Sequence, residues 1–366
     1  MGSSVEQTVE ASARRILLVR IGALGDTLMA TPVARALKRA YPGARVDFLC
    51  SGSASPLLRL NPWMDTVHPL RQRNVPFFLS LEKLRLALTL RSIGFDFAVL
   101  LESARKYRFL LARAGLKTIR SFEETPFDPH LHSIVNNLRA AGLANWREFP
   151  PAMELPVSEV DREQARELLK GLPRPLVGLH PGYGPPGRKK NQSRRLKGWN
   201  PTHFVHLGQL LIDQGSSLVL TGSKQDRRDT ESISPPFPPD RCRSLAGRTT
   251  LKEMAAVIAE LDLFISVDSG PAHMAAAVGT PLVVLWGPAK LKQVRPLSSG
   301  GPVEIIRHPV PCSPCYDTPW MATCRKNVCL QSITPDQVFQ LALKLLGDDP
   351  VRERPGKAPA RIGGGW

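Results

Sequence analysis

The stretch RILLVRIGALGDTLMATPVARALKRAYP, residues 15–42, changes character twice. Residues 15–21 form an apolar, branched run without polar alternation, as expected of a central parallel strand covered on both faces. The turn Gly22-Ala23-Leu24-Gly25 follows, and Asp26 then opens a helical pattern that runs to about Ala40. Asp26 and Thr27 are both N-cap residue types, Met29, Val33 and Leu37 recur at helical spacing, and Tyr41-Pro42-Gly43 ends the helix. The stretch reads as one strand, tight turn, helix unit.

The same alternation continues outward. Strands are expected at 45–50, 95–101 and 118–122, with a helical pattern at 79–93 between them. It lapses over 145–156, where Pro150, Pro151 and Pro156 cluster, and a helix is expected from near Ser158. Beyond that come a strand at 176–180, a helix at 201–214, a strand at 217–221, a helix after Thr249, a strand at 263–267, a helix after Gly270 and a strand at 281–286. A last helix covers 335–346. Alternating β and α elements imply parallel α/β sheets, and 366 residues suit two domains, each able to bury its own core. The division is placed at 14–155 and 156–347, with 348–366, rich in Pro, Gly and Arg, read as a disordered tail.

Composition narrows the function classes. Apolar residues at 42% and charged residues at 22% describe a folded globular chain rather than a disordered one. Lys and Arg number 49 against 32 Asp and Glu, a net charge of +17, which points toward phosphate-bearing molecules or an anionic membrane face. With aromatics at 6%, base-stacking platforms for single-stranded nucleic acid have little material. Six cysteines in this length make no disulfide framework, and residues 2–13 lack the apolar core of a signal peptide, so cytoplasmic residence is the expectation. The uncharged run 269–289 is long enough for a bilayer, but Pro271, Gly279, Pro281 and Gly287 interrupt it; it reads as a buried helix followed by a buried strand.

Three segments carry candidate chemistry. The first turn has neither the third glycine of a dinucleotide fingerprint nor a Walker Lys-Ser/Thr, which demotes hydride transfer and P-loop phosphoryl transfer. It leaves Asp26 at the carboxyl end of the first strand, where open α/β sheets place ligands, to act as a helix cap, a proton acceptor or both. The second segment, RKKNQSRRLK at 188–197, has six cations and no acid; 188–190 can be a solvated face, whereas Lys197, two residues before Trp199 and just ahead of a helix, suits an anion site. The third, FISVDSGPAHMAAAVGTPLVVLWGP at 264–288, ends a buried strand at Asp268 and starts a helix at Ser269-Gly270-Pro271. Its free N–H groups and dipole suit a phosphate, Gly270 removes a Cβ that would hold a ligand away, and His273 sits in the first turn. Between the last two, Thr221-Gly222-Ser223 ends a strand, and Asp226 beyond it could hold a ribose diol or cap a helix.

Taken in order, R-I-G-A-L-G-D-T-L at 20–28, K-G-W at 197–199, T-G-S at 221–223, and V-D-S-G-P-A-H-M-A-A-A-V-G-T-P with W-G-P at 267–288 resemble glycosyltransferase family 9, typified by ADP-heptose:lipopolysaccharide heptosyltransferases. The resemblance spans about 14–346. It implies a GT-B fold of two Rossmann-like domains facing a central cleft, with Gly22 and Gly25 on the acceptor side and the nucleotide-sugar on the C-terminal side. It also implies an inverting, metal-independent transfer, requiring no catalytic cofactor, onto lipopolysaccharide core or a related lipid-linked glycan. Asp26 then matches the general base and Lys197 the lysine near the donor phosphates. Asp268, Ser269, Gly270 and His273 match the nucleotide-sugar motif, and Asp226 matches loosely an acidic ribose contact. An anionic inner-membrane surface is the expected partner at the cytoplasmic face.

Cys312, Cys315, Cys324 and Cys329 fall within 18 residues, the first pair at zinc-knuckle spacing, so a structural zinc and four unligated thiols are both open readings. Two other functions compete with the transferase: a sugar-nucleotide epimerase of the same architecture, and a basic non-enzymatic α/β protein binding nucleic acid. The second gives no role to Asp26 or to the Asp268 segment and lacks any nucleic-acid-binding signature; no specific nucleic-acid partner is expected.

Overall fold

A computed structural model of the chain describes residues 13–347, apart from 103–104, 144, 183–195 and 317. The tail reading for 348–366 and the basic run at 188–195 lie outside the described residues. Five strands, β1 (Arg15–Arg20), β2 (Arg45–Ser51), β3 (Thr66–Leu70), β4 (Phe97–Leu100) and β5 (Ile119–Ser121), form a parallel sheet in the order β3-β2-β1-β4-β5. Six more, β6 (Leu176–His180), β7 (Ser217–Leu220), β8 (Cys242–Ser244), β9 (Leu263–Val267), β10 (Leu282–Trp286) and β11 (Val303–Arg307), form a second sheet in the order β11-β10-β9-β6-β7-β8. The central strands β1, β6, β9 and β10 are those whose apolar runs have no alternation, and they are buried along nearly their whole length. The uncharged run 269–289 resolves into the Gly270–Val278 helix and β10.

The single helix expected from Asp26 to Ala40 is two. α1 covers Leu24–Leu28 and α2 covers Thr31–Ala40. Pro32 has no N–H to donate, which breaks the i→i−4 ladder, and the Thr31 hydroxyl donates instead to Leu28 O at 2.8 Å. The N-cap of α1 is Ala23, not Asp26: Asp26 stands at the third helical position and its Oδ2 accepts from the Ala23 N–H at 3.3 Å.

Between the sheets the chain runs without regular structure over 150–157 and is fastened alternately to either side. Glu154 pairs with Arg35 and accepts from Trp63 Nε1 at 2.6 Å, while the Met153 and Leu155 N–H groups donate to Leu297 O at 3.4 Å and Ala277 O at 3.1 Å. Apolar packing is also continuous between the halves. One buried cluster extends from Ile16, Val46 and Phe48 around the first sheet to Ala272, Val284 and Trp286 around the second.

Candidate active site

Helix α1 meets the N-terminus of α3, our label for the Gly270–Val278 helix, so the two segments singled out in the sequence face one another. The glycines make that approach possible. A Cβ on Gly270 would stand 3.1 Å from the Leu24 side chain, and one on Gly25 would stand 2.8 Å from His273 Cδ2. The neighbour that Gly270 accommodates is therefore Leu24 of the opposite half, where a ligand was expected. Gly22 makes room for the carboxylate of Asp26, 2.9 Å from where its Cβ would lie.

Asp26 is held from both sides of its carboxylate. Oδ1 pairs with Arg20 Nη2 at 3.1 Å, and Oδ2 takes the Ala23 N–H. Arg20 in turn donates to Leu101 O and lies near Glu102, whose Oε1 accepts from the Ile21 N–H at 2.7 Å. The carboxylate remains about one-third exposed, so it is oriented yet reachable.

Across the seam, Lys197 Nζ pairs with Asp268 Oδ2 at 2.8 Å and lies 4.1 Å above the centroid of the Tyr316 ring. Asn327 fixes the backbone on either side of Lys197: its Nδ2 donates to Leu196 O at 3.3 Å and Gly198 O at 2.9 Å, and Gln331 Nε2 donates to Gly198 O at 2.9 Å. Trp199 is buried and donates through Nε1 to Ile333 O at 2.9 Å. Ser269, the N-cap of α3, holds Ser266 Oγ at 3.0 Å through its own hydroxyl. No local pattern in the sequence assigns a role to Arg20, Tyr316 or Asn327. Asn327 stands at φ 30°, a left-handed conformation that Asn tolerates better than most residues, which is the one local hint it carries.

His273 lies between these groups, 5% exposed, and its Nδ1 has no hydrogen-bond partner among the described residues. Burial holds its imidazole below the usual value, against the pull of Asp268 and Asp26. A buried, neutral imidazole with an unpaired nitrogen is costly unless a group beyond the described residues completes it. The ring turns its Cδ2 edge to Gly25 of the first lobe and feels the charges of Asp268, Asp26 and Lys197.

The Thr221-Gly222-Ser223 turn is built from within. Asp226 is buried beneath Gly182, and its Oδ2 accepts from Ser223 N at 2.9 Å and Ser223 Oγ at 2.5 Å. It braces the turn and makes no side-chain cap on the helix it precedes. Thr221 Oγ1 lies 2.9 Å from Nδ1 of the buried His180. Burial pushes His180 down to about 4, with Asp226 opposing. In the unfolded chain this imidazole titrates near pH 6.5, so between there and pH 4 the unfolded state binds the extra proton and stability falls as pH drops, by up to about 3 kcal/mol below pH 4. Thermal melts from pH 7 to pH 4 should show the fall, and His180→Gln should flatten that slope.

The four clustered cysteines do not gather into a ligand set. Cys315 and Cys329 are buried, Cys312 is exposed, and among the described residues no three His, Cys, Asp or Glu stand where they could share a metal ion. Cys315 and Cys324 pack instead with Leu196 and Met321, under the segment that carries Lys197. Burial and the neighbouring thiols push Cys329 up to about 11, as suits an apolar filling of that loop.

Two parallel α/β lobes meeting through the carboxyl end of β1 and the start of α3 form a GT-B fold. Comparison with known proteins narrows it. Residues 85–324 match the model of glycosyltransferase family 9 (heptosyltransferase), and the chain belongs to that family. Lipooligosaccharide heptosyltransferase 2 of Haemophilus influenzae is 28% identical over 313 residues, covering 77% of this chain and 86% of its own. Lipopolysaccharide heptosyltransferase 2 of Escherichia coli is 26% identical over 314 residues, 78% and 86% of the two chains. The solved structure of E. coli ADP-heptose LPS heptosyltransferase II superposes with a TM-score of 0.74 at 25% identity, over 92% of this chain and all of that one. The family 9 glycosyltransferase of Veillonella parvula gives 0.77 at 20% identity and shares the fold.

Proposed function

We propose that the chain transfers heptose from ADP-heptose, with inversion at the anomeric carbon, to a hydroxyl of a lipopolysaccharide-core acceptor at the cytoplasmic face of the inner membrane. The observation that carries this reading is the meeting of Asp26 from one lobe with His273, Asp268 and Lys197 from the other. The names of the relatives at 26–28% identity support the sugar and the acceptor class.

The chemistry suits these groups. Asp26 takes the proton of the acceptor hydroxyl as its oxygen bonds to the anomeric carbon from the face opposite the diphosphate. The bond from that carbon to the phosphate oxygen breaks, and its electron pair leaves with ADP. The Lys197 ammonium and the N–H groups opening α3 receive the growing negative charge. His273, buried beside Asp268 and Lys197, lines the donor side. Asp226 supports that side from beneath the Ser223 turn.

Purified protein should release ADP from ADP-heptose only when a core acceptor is added, and ADP should raise the melting temperature more than GDP, UDP or TDP at equal concentration. Isomerised donor without acceptor would identify an epimerase in its place.

A further inference from the structure

Helix α4, our label for Leu81–Ile93, is amphipathic in the unusual sense. It turns Lys83, Ala87 and Leu90 inward and leaves Leu81, Leu84 and Leu88 outward. Leu81 and Leu88 are 58% and 59% exposed, and Phe78 and Leu79, just before the helix, are each 77% exposed. These side chains stand on a firm base. Phe77, Phe78 and Phe109 pack edge to face with centroids 5.2 to 5.7 Å apart, and Phe77 packs against the core. The buried Lys83 donates to Arg73 O at 3.3 Å and to Val75 O, tying the loop down beneath them. A contiguous apolar face of this kind on a soluble fold marks a contact surface.

Charge says what it contacts. Residues 71–117 contain ten Lys and Arg against three Asp and Glu. Arg85, Arg91 and Lys117 are exposed on these elements, and Arg113 lies over the Phe78 and Phe109 rings at 6.0 and 5.0 Å. Leucine and phenylalanine at the centre with cations around them is the pattern of a surface that enters an anionic bilayer, where apolar insertion and headgroup attraction are both needed. The face is coupled to the site as well: Arg73 Nη1 donates to Ile21 O at 2.8 Å and Gly22 O at 3.3 Å, on the turn that leads to Asp26.

We propose that Phe78, Leu79, Leu81, Leu84 and Leu88 form a membrane-insertion face that seats the first lobe on an anionic lipid bilayer. The transfer reading explains why this face adjoins the Asp26 turn, but bilayer binding can be measured without it. The full chain should sediment with phosphatidylcholine vesicles containing phosphatidylglycerol and much less with phosphatidylcholine alone. Phe78→Ser with Leu79→Ser should lower that partition at least ~10-fold without lowering the melting temperature, since both side chains are exposed. Arg85→Gln with Arg91→Gln should weaken it and reduce its salt dependence. ADP release with a lipid-free acceptor should be unchanged in all of these variants; loss of vesicle binding together with no transfer in the parent would keep the face and remove the transfer reading. Unaltered partition of the Phe78/Leu79 variant would overturn the proposal, because the binding would then be charge attraction alone. So would a parent that is dimeric in solution and becomes monomeric in that variant, since the face would belong to a second copy.

Discussion

Asp26→Asn should leave donor binding nearly intact and lower kcat at least ~100-fold, the loss expected when a positioned general base is removed. The substitution keeps the shape of the side chain, and its one remaining oxygen can keep either the Arg20 contact or the Ala23 N–H, while the amide NH2 gives up the other. What it removes is the capacity to hold the acceptor's proton. Arg20 sharpens the test, because the carboxylate it fixes at 3.1 Å is aimed by a charged partner on β1 rather than by chance. A melting temperature matched to the parent would show that the α1 cap survives. A mutant as active as the parent would take Asp26 out of the chemistry and leave it as a helix cap.

Lys197→Ala should act on the other substrate. Loss of a charge-assisted contact to a diphosphate is worth about 1.5–3 kcal/mol, so the donor dissociation constant should rise roughly ten- to a hundredfold. The expected size also reflects what the lysine leaves behind. Asp268, its partner at 2.8 Å and largely buried, would then face the incoming phosphates uncompensated. Lys197→Arg should restore only part of the affinity, because the Tyr316 ring and the Asp268 carboxylate surround a compact ammonium. Calorimetric titration with ADP gives the number directly, and an unchanged constant would refute the assignment.

How far the fold could be read from the chain depends on where a strand lies in its sheet. β6 and β9 are legible to the residue because both faces are covered and the apolar run is unbroken. The strands missing from that reading are β3, β8 and β11, which lie at edges. β3 contains His68 and Pro69, β8 has only three residues, and β11 is half-buried along most of its length, so none carries the continuous apolar signal. The break in the first helix was visible in Pro32 but outweighed by the spacing of Met29, Val33 and Leu37.

The site was legible as parts and not as an assembly. Asp26, Lys197 and the Asp268 segment each announce themselves through local turn and cap chemistry. Their relations do not: Lys197 and Asp268 are 71 residues apart, and nothing local in Gly25 or Gly270 says that the thing each makes room for is on the other lobe. Asn327 is the clearest omission. The spacing of the cysteines around it suits a metal, whereas the loop contributes a side-chain amide clamped on two carbonyls.

The crossing at 153–155 limits how the molecule can work. Because successive residues there are tied to opposite lobes, Glu154 to Arg35 and Trp63 and its two neighbours to Leu297 and Ala277, neither lobe can slide along the other without tearing the strap. The movement such a strap would leave open is rotation about it, as of a jaw about its pin, with Asp26 on one jaw and the Lys197–Asp268 pair on the other.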